Sequence, residues 1–214
     1  MTDPVQRARA LSSTIQITMV SIIVAFSLQE WLQRLPTIDA LWEPTQVAMR
    51  IACQALIAFV IILKIWSGFL LSSVMNERVP TAMDLLGPIA ILVFVDAQIA
   101  SIGVDHVLRF WYVLGAGSMM AAAFISGQMS GVSFGPEIAA ITSRFGARGI
   151  LRNPVAIEMT LASVALLVGV LHQTVELSES GLMAASVLFL GAEALSATGS
   201  IFGWRALRKL EKPI

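Results

Sequence analysis

Residues 59–71 read FVIILKIWSGFLL, a run of apolar side chains that holds a single lysine, Lys64. Two other apolar stretches each hold one acidic residue: Asp96 in ILVFVDAQIASIG (91–103) and Glu193 in LFLGAEALSATGS (188–200). Runs of this kind are typical of helices that cross a bilayer, where about 20 apolar residues span the hydrocarbon core. A charge near the centre of such a helix costs about 2.5–3.5 kcal/mol on insertion scales. Each of the three charges therefore needs a partner or water.

The composition of the whole chain favours the same environment. Of the 214 residues, 57% are hydrophobic and only 13% are charged, and the mean hydropathy is +0.80. A soluble domain carries about 25% charged residues, so lipid is the better solvent for this chain. The net charge is zero, which gives no electrostatic reason to expect a nucleic-acid partner. The one cysteine, Cys53, has no partner for an intrachain disulfide.

These patterns predict an all-α, polytopic integral membrane protein that forms one transmembrane domain over residues 1–214. Its partner is the lipid bilayer. Six apolar stretches have the length and composition of transmembrane helices: 11–33, 46–75, 83–104, 107–130, 153–174 and 181–204. Between the fourth and fifth, residues 136–152 alternate apolar and basic side chains at near-helical spacing. We interpret 136–152 as an amphipathic segment at the inner interface.

The distribution of basic residues predicts the orientation, because positively charged loops stay on the cytoplasmic side. With both termini inside, ten Lys and Arg residues fall in or beside the inner connections and ends: Arg7, Arg9, Arg78, Arg144, Arg148, Arg152, Arg205, Arg208, Lys209 and Lys212. Only Arg34, Arg50 and Arg109 fall outside. We therefore predict cytoplasmic termini and a location in the cell membrane, as a multi-pass protein of a bacterial inner membrane.

Two interpretations of the three charges inside the membrane stay open. In the structural one, Lys64 pairs with Asp96 or Glu193 and holds helices in register, since opposite charges at similar depth offset each other's desolvation. In the functional one, Asp96 and Glu193 line a water-filled path or an ion site, because two acids against one lysine leave one carboxylate unmatched. Glu158, one turn inside the fifth span, is expected to reach the interface.

The first span is the least apolar, and it carries a hydroxyl stripe formed by Thr14, Thr18 and Ser21. An apolar stripe runs beside it and contains Ile15, Met19 and Ile22. A helix with both stripes has the character of a pore lining with hydrophobic constrictions. Hydroxyl groups in membrane helices also bond to their own backbone or join helices. Thr18 is therefore either a pore-lining residue or a structural hydrogen-bond donor.

Residues 7–23, RARALSSTIQITMVSII, resemble the start of the endolysosomal and prokaryotic potassium-channel family, whose first helix opens with Arg-x-x-x-Phe-Ser-Asp. Arg7 and Ser12 match that pattern, while Leu11 stands in place of the Phe and Ser13 in place of the Asp. The resemblance implies six spans, cytoplasmic termini, a homo-oligomer and potassium as the permeant ion. It also implies that Arg7 and Ser12 belong to the polar network of the signature. The constriction candidates that it implies are Ile15, Met19 and Ile22.

The resulting functional prediction is an oligomeric membrane channel or pore for small monovalent cations. The pore or ion-path candidates are Ile15, Thr18, Met19, Ile22, Asp96 and Glu193. Two alternatives stay open: a non-catalytic integral subunit or scaffold of a larger membrane complex, and a proton-coupled transporter. We do not expect an enzyme, a cofactor or a metal site, because the chain has only two histidines and one cysteine.

Overall fold

The computed structural model describes residues 4–75, 82–103, 105–129 and 154–210, and all of the longer elements in these ranges are α-helices. In chain order the helices are α1 (Pro4–Arg34), α2 (Gln46–Met75), α3 (Ala82–Ala100), α4 (Val107–Met129), α5 (Pro154–Val175) and α6 (Glu179–Leu210). Two short 3₁₀ turns, Leu35–Thr37 and Asp39–Trp42, join α1 to α2. The prediction of an all-α fold is confirmed for the described residues. The predicted amphipathic segment 136–152 lies outside them.

Four helices contain a stretch that is long and apolar enough to cross a membrane: Gln46–Leu70, Val107–Ser126, Val155–Val175 and Glu179–Thr198. In α3 the described apolar stretch is shorter, Ile89–Ala100, and the described residues of α1 provide no such stretch. The low apolarity of α1 agrees with its sequence, which is the richest of the six in hydroxyl and amide side chains. Four apolar helices are what is expected of a membrane protein.

Local sequence signals set the helix ends at the short connections. Thr45 caps α2, because its hydroxyl accepts a hydrogen bond from the Ala48 N–H at 3.2 Å, and Ser178 does the same for the Gly181 N–H at 3.3 Å. Glu176 has φ +50° and its N–H donates to the His172 carbonyl at 3.0 Å, which ends α5. The connection between α5 and α6 is therefore only three residues long.

Two arginines link the three short connections, α1–α2, α3–α4 and α5–α6, at one end of the bundle. Arg34, the last residue of α1, donates to the Ile102 carbonyl at 3.2 Å. Arg50 on α2 donates to the Gly103 carbonyl at 3.3 Å and to Glu179 at 2.8 Å. Carbonyls just beyond a helix lack intrahelical partners and carry partial negative charge, so both arginines complete the end of α3. These bonds give a structural role to Arg34 and Arg50, two of the three basic residues that the sequence analysis places on the outer side.

The most extensive helix pairs are α4 with α5 and α2 with α6. In the antiparallel α4–α5 pair, a Cβ on Gly115 would lie 2.7 Å from Leu166 and 3.3 Å from the Ala162 carbonyl. A Cβ on Gly169 would likewise lie 3.3 Å from the Tyr112 ring of α4. Small residues at these points let the two backbones come together, which replaces the hydrophobic drive that is missing between helices in lipid.

Candidate functional site

Three charged side chains from three helices meet in the interior, and we call them the charged cluster: Lys64 on α2, Glu158 on α5 and Glu193 on α6. The Lys64 ammonium donates to Glu158 Oε1 at 2.9 Å and also to Glu193 Oε2. The side chains of Glu158 and Glu193 are buried, and that of Lys64 is 15% exposed. The structure thus brings together two of the three predicted charge-pair candidates, Lys64 and Glu193, and adds Glu158.

The α2–α6 pair places Lys64 beside Glu193. Arg50 meets Glu179 near the start of both helices, and Lys64 meets Glu193 fourteen residues later on both. The two helices therefore run parallel and in equal register. Between the ion pairs, residues at alternating steps of three and four have the spacing of a heptad seam. They are the buried Gln54 and Ile57 and the half-buried Ile61 on α2, and the buried Leu182, Ser186 and Phe189 on α6.

The depth of the charged cluster follows from helix geometry. Fourteen residues beyond Glu179 correspond to roughly 21 Å of helix at 1.5 Å per residue. A hydrocarbon core is about 30 Å thick, so this distance from the end that holds the three short connections is about two thirds of such a core. Glu158 reaches the same depth because α5 runs antiparallel to α6 across the three-residue turn.

The charges of the cluster do not balance when all three groups are ionised, since one ammonium faces two carboxylates. Among the described residues, Glu193 Oε1 is buried and has no hydrogen-bond partner. Glu158 Oε1 is better satisfied, because it also accepts from Ser196 Oγ at 3.5 Å. A buried carboxylate oxygen without a partner is costly, so Glu193 is the less satisfied of the two carboxylates in the cluster.

A cavity of about 50 Å³ adjoins the charged cluster and is bounded by α2 to α6. Its walls are mainly apolar. Its polar lining consists of five side chains: Lys64, Gln98, Ser118, Glu158 and Glu193. Gln98 is also buried, and its amide nitrogen has no partner among the described residues. A cavity of this size and polarity has room for a few water molecules or a small ion.

Asp96, the third predicted charge, lies apart from the cluster. It is half-buried between α1 and α3, and its carboxylate accepts a hydrogen bond from Ser27 Oγ at 3.4 Å. It makes no ion pair with Lys64, whose two carboxylate partners are Glu158 and Glu193. The structure therefore separates Asp96 from Glu193.

Sequence reasoning missed Glu158, which was expected to reach the interface. It is buried, and Lys64 of α2 and Ser196 of α6 both donate hydrogen bonds to it. One sequence signal could have indicated the arrangement on α6: the spacing between Arg50 and Lys64 equals the spacing between Glu179 and Glu193. No comparable signal exists for Glu158.

The pore-lining candidates of α1 lie on its outward side. Ile15, Thr18 and Ile22 are exposed and Met19 is half-buried. The Thr18 hydroxyl donates to the Thr14 carbonyl of its own helix at 2.8 Å, one of the two interpretations given above. Arg7 and Ser12 lie on α1, but their side chains are outside the described part of the structure.

Residues able to hold a metal ion do not gather in the described ranges, where no group of three or more His, Cys, Asp or Glu comes together. The charged cluster offers two carboxylates, with an ammonium between them instead of a metal. The chemistry available there is proton exchange on a carboxylate and binding of a small cation.

No family model, no curated protein and no solved structure matches this chain. The resemblance of residues 7–23 to the potassium-channel family stays a prediction from the sequence.

Proposed function

We propose that this protein carries protons or small monovalent cations across a membrane, with the charged cluster as the binding site and the adjoining cavity as part of the path. The observation that carries the proposal is Glu193 Oε1, a buried carboxylate oxygen without a hydrogen-bond partner among the described residues, beside a mainly apolar cavity that Glu193 helps to line. Ionisable residues inside a membrane bundle are expensive and mark ion pathways and proton relays.

The composition of the cluster supports transport over a purely structural role. One ion pair is enough to hold two helices in register, and Arg50 with Glu179 already does this for α2 and α6. A second acid at Lys64 adds a desolvation cost that no additional cation offsets. A site that exchanges a proton or a cation needs such an extra negative charge.

The proposal includes the finer topology: six spans, both termini in the cytoplasm and a location in the cell membrane, most simply a bacterial inner membrane. Its support is the ten-to-three distribution of basic residues and the meeting of three alternate connections at one end of the bundle. In this orientation the cavity and the charged cluster lie in the inner half of the bilayer.

Reconstitution into liposomes tests the transport proposal. Purified protein is placed in vesicles with a pH-sensitive dye inside, and a potassium or sodium gradient is applied. We expect dye response for the wild type, and loss of that response for Glu193→Gln. The matched control is Glu43→Gln, which removes an exposed carboxylate between α1 and α2. A folded Glu193→Gln variant with wild-type flux would refute the proposal.

A second candidate is the homo-oligomeric channel or pore for small monovalent cations, potassium among them, with α1 at its centre. The exposed side of α1, with Ile15, Thr18 and Ile22, is the specific observation in its favour. Native mass spectrometry and cross-linking of Ile22→Cys in a Cys53→Ser background test this candidate. A symmetric oligomer linked through residue 22 supports it, and a monomer excludes it.

The remaining alternative is a non-catalytic integral subunit or scaffold. Folded protein that gives neither flux nor a symmetric oligomer would favour it over both transport proposals.

A further inference from the structure

The charged groups around Glu193 can be named for each helix that bounds the cavity. Helix α2 contributes Lys64, α5 contributes Glu158 and α6 contributes Glu193 itself. The cavity linings from α3 and α4 are uncharged, and their polar members are Gln98 and Ser118. With all three groups ionised, the site carries one excess negative charge. A site of low dielectric is expected to hold one compensating positive charge.

We propose that this compensating charge is either one proton or one small monovalent cation, and that the two exchange one for one at Glu193 Oε1. This inference rests on the proposed function and specifies its substrate class. When a cation enters, the O–H bond of the protonated carboxyl breaks, the proton leaves to water, and the cation takes its place on the carboxylate oxygen. The site is neutral before and after the exchange, so charge balances.

Lys64 sets the charge of the transported ion. It supplies one fixed positive charge against the two carboxylates, so one further positive charge makes the site neutral. A divalent cation would leave the buried site with a net positive charge, which is unfavourable far from water. The site is therefore expected to select monovalent cations against Mg²⁺ or Ca²⁺ by charge, before any effect of size.

The uncharged polar groups across the cavity provide further ligands. Ser118 offers a hydroxyl oxygen, and Gln98 offers a carboxamide whose oxygen and nitrogen exchange places by a rotation of 180°. The absence of a partner for the Gln98 amide nitrogen in the described residues fits a side chain whose partner is an occupant of the cavity. The volume of about 50 Å³ is enough for an ion with one or more waters.

Proton release from detergent-solubilised protein in weak buffer tests the exchange directly. Addition of LiCl, NaCl or KCl to the wild type is expected to release close to one proton per chain for at least one of the three salts. MgCl₂ at equal ionic strength is expected to release none through this site. Glu193→Gln is expected to lose the release, and Glu43→Gln to keep it. Gln98→Leu keeps the charged cluster and should raise the half-maximal salt concentration by about fivefold or more.

Folding of each variant is checked by circular dichroism and gel filtration. If Glu193→Gln does not fold, Glu193→Asp replaces it. That change keeps the charge but withdraws the carboxylate, and it should shift the half-maximal salt concentration. Release that is absent for all three salts, or equal in wild type and folded Glu193→Gln, overturns the inference.

The outcomes separate this inference from the proposed function. Proton flux in liposomes without cation-dependent release leaves the transport proposal standing and removes the exchange. Release without flux supports the exchange site and removes the transport proposal. Release by MgCl₂ that Glu193→Gln abolishes overturns the selection by charge.

Discussion

Lys64 on α2 and Glu193 on α6 form an ion pair that lies fourteen residues along both helices from the ion pair of Arg50 with Glu179. Equal spacing on two parallel helices means that both pairs form in the same register. Since a second carboxylate, Glu158, joins only the deeper pair, the two ends of the α2–α6 interface differ in charge. The pair of Arg50 with Glu179 is balanced in charge, and the deeper pair is not.

Lys64→Met is expected to lower the free energy of unfolding by about 3–5 kcal/mol, because it leaves two buried carboxylates without their cation. Adding Glu193→Gln to it should recover part of this loss. Thermal melting in detergent measures both changes. Arg109→Met is the control, since it removes an exposed cation from α4. Equal melting temperatures for Lys64→Met and Arg109→Met would show that Lys64 stabilises nothing.

In the pair of Arg50 with Glu179, removal of the more exposed partner should lower the free energy of unfolding more than removal of the buried one. Arg50 is 0% exposed and the Glu179 side chain is 42% exposed. Glu179→Ala leaves a buried guanidinium with an unmatched charge, and we expect a loss of about 3–5 kcal/mol. Arg50→Met leaves a carboxylate that water can reach, with the Gly103 carbonyl unpaired, and we expect about 1–3 kcal/mol. Denaturation of the two variants side by side tests the order, and the reverse order would contradict it.

Gly115→Ala should destabilise the α4–α5 pair by about 1–3 kcal/mol, because the added methyl group would lie 2.7 Å from Leu166 and 3.3 Å from a backbone carbonyl. Gly191→Ala is the matched control within a helix, since its Cβ would have no neighbour within 4 Å. Melting temperatures of the two variants give the comparison. If Gly115→Ala melts no lower than Gly191→Ala, the close approach of α4 to α5 is wrong.

Residues 105 and 176 should lie on the same side of the membrane, since the connections that hold them meet at one end of the bundle. In a Cys53→Ser background, Asp105→Cys and Glu176→Cys are expected to react with a membrane-impermeant thiol reagent from outside intact cells. Arg148→Cys is expected to react only after the cells are opened. Labelling of Asp105→Cys and Glu176→Cys from opposite sides would contradict the arrangement of the connections.

Asp96→Asn should leave cation flux intact and cost less than about 1 kcal/mol of stability. Its amide oxygen can still accept the hydrogen bond from Ser27, and it does not contact the charged cluster. Flux in liposomes and melting in detergent give the two readouts. Loss of flux with normal melting would place Asp96 on the ion path, as one of the sequence interpretations had it.

The sequence alone is enough to predict where the six helices lie, and for four of them apolar length also indicates a membrane span. The partner of Lys64 is different. Depth along separate helices limits the choice to Asp96 or Glu193, but only the packing of the helices decides which side of each one faces Lys64. Glu158 was missed for the same reason: its distance from Pro154 suggests access to the interface, while its bonds to Lys64 on α2 and Ser196 on α6 hold it in the interior.

The glycine contacts also depend on how the helices pack against each other. Gly115 lies on α4, while its close neighbours Ala162 and Leu166 lie on α5. Which small residue meets which neighbour depends on the rotation of each helix about its axis. A sequence without a matching relative carries no direct record of that rotation.

The equal register of α2 and α6 also has a mechanical consequence. A slide of α6 along α2 by one turn, about 5.4 Å, would separate both ion pairs in a single step. The two helices are therefore expected to move together as one rigid unit. On the opposite wall of the cavity, α3 and α4 present only uncharged side chains, so their tilting breaks no ion pair there. An alternating opening of the cavity would fall to these two helices, with α2 and α6 as the fixed frame.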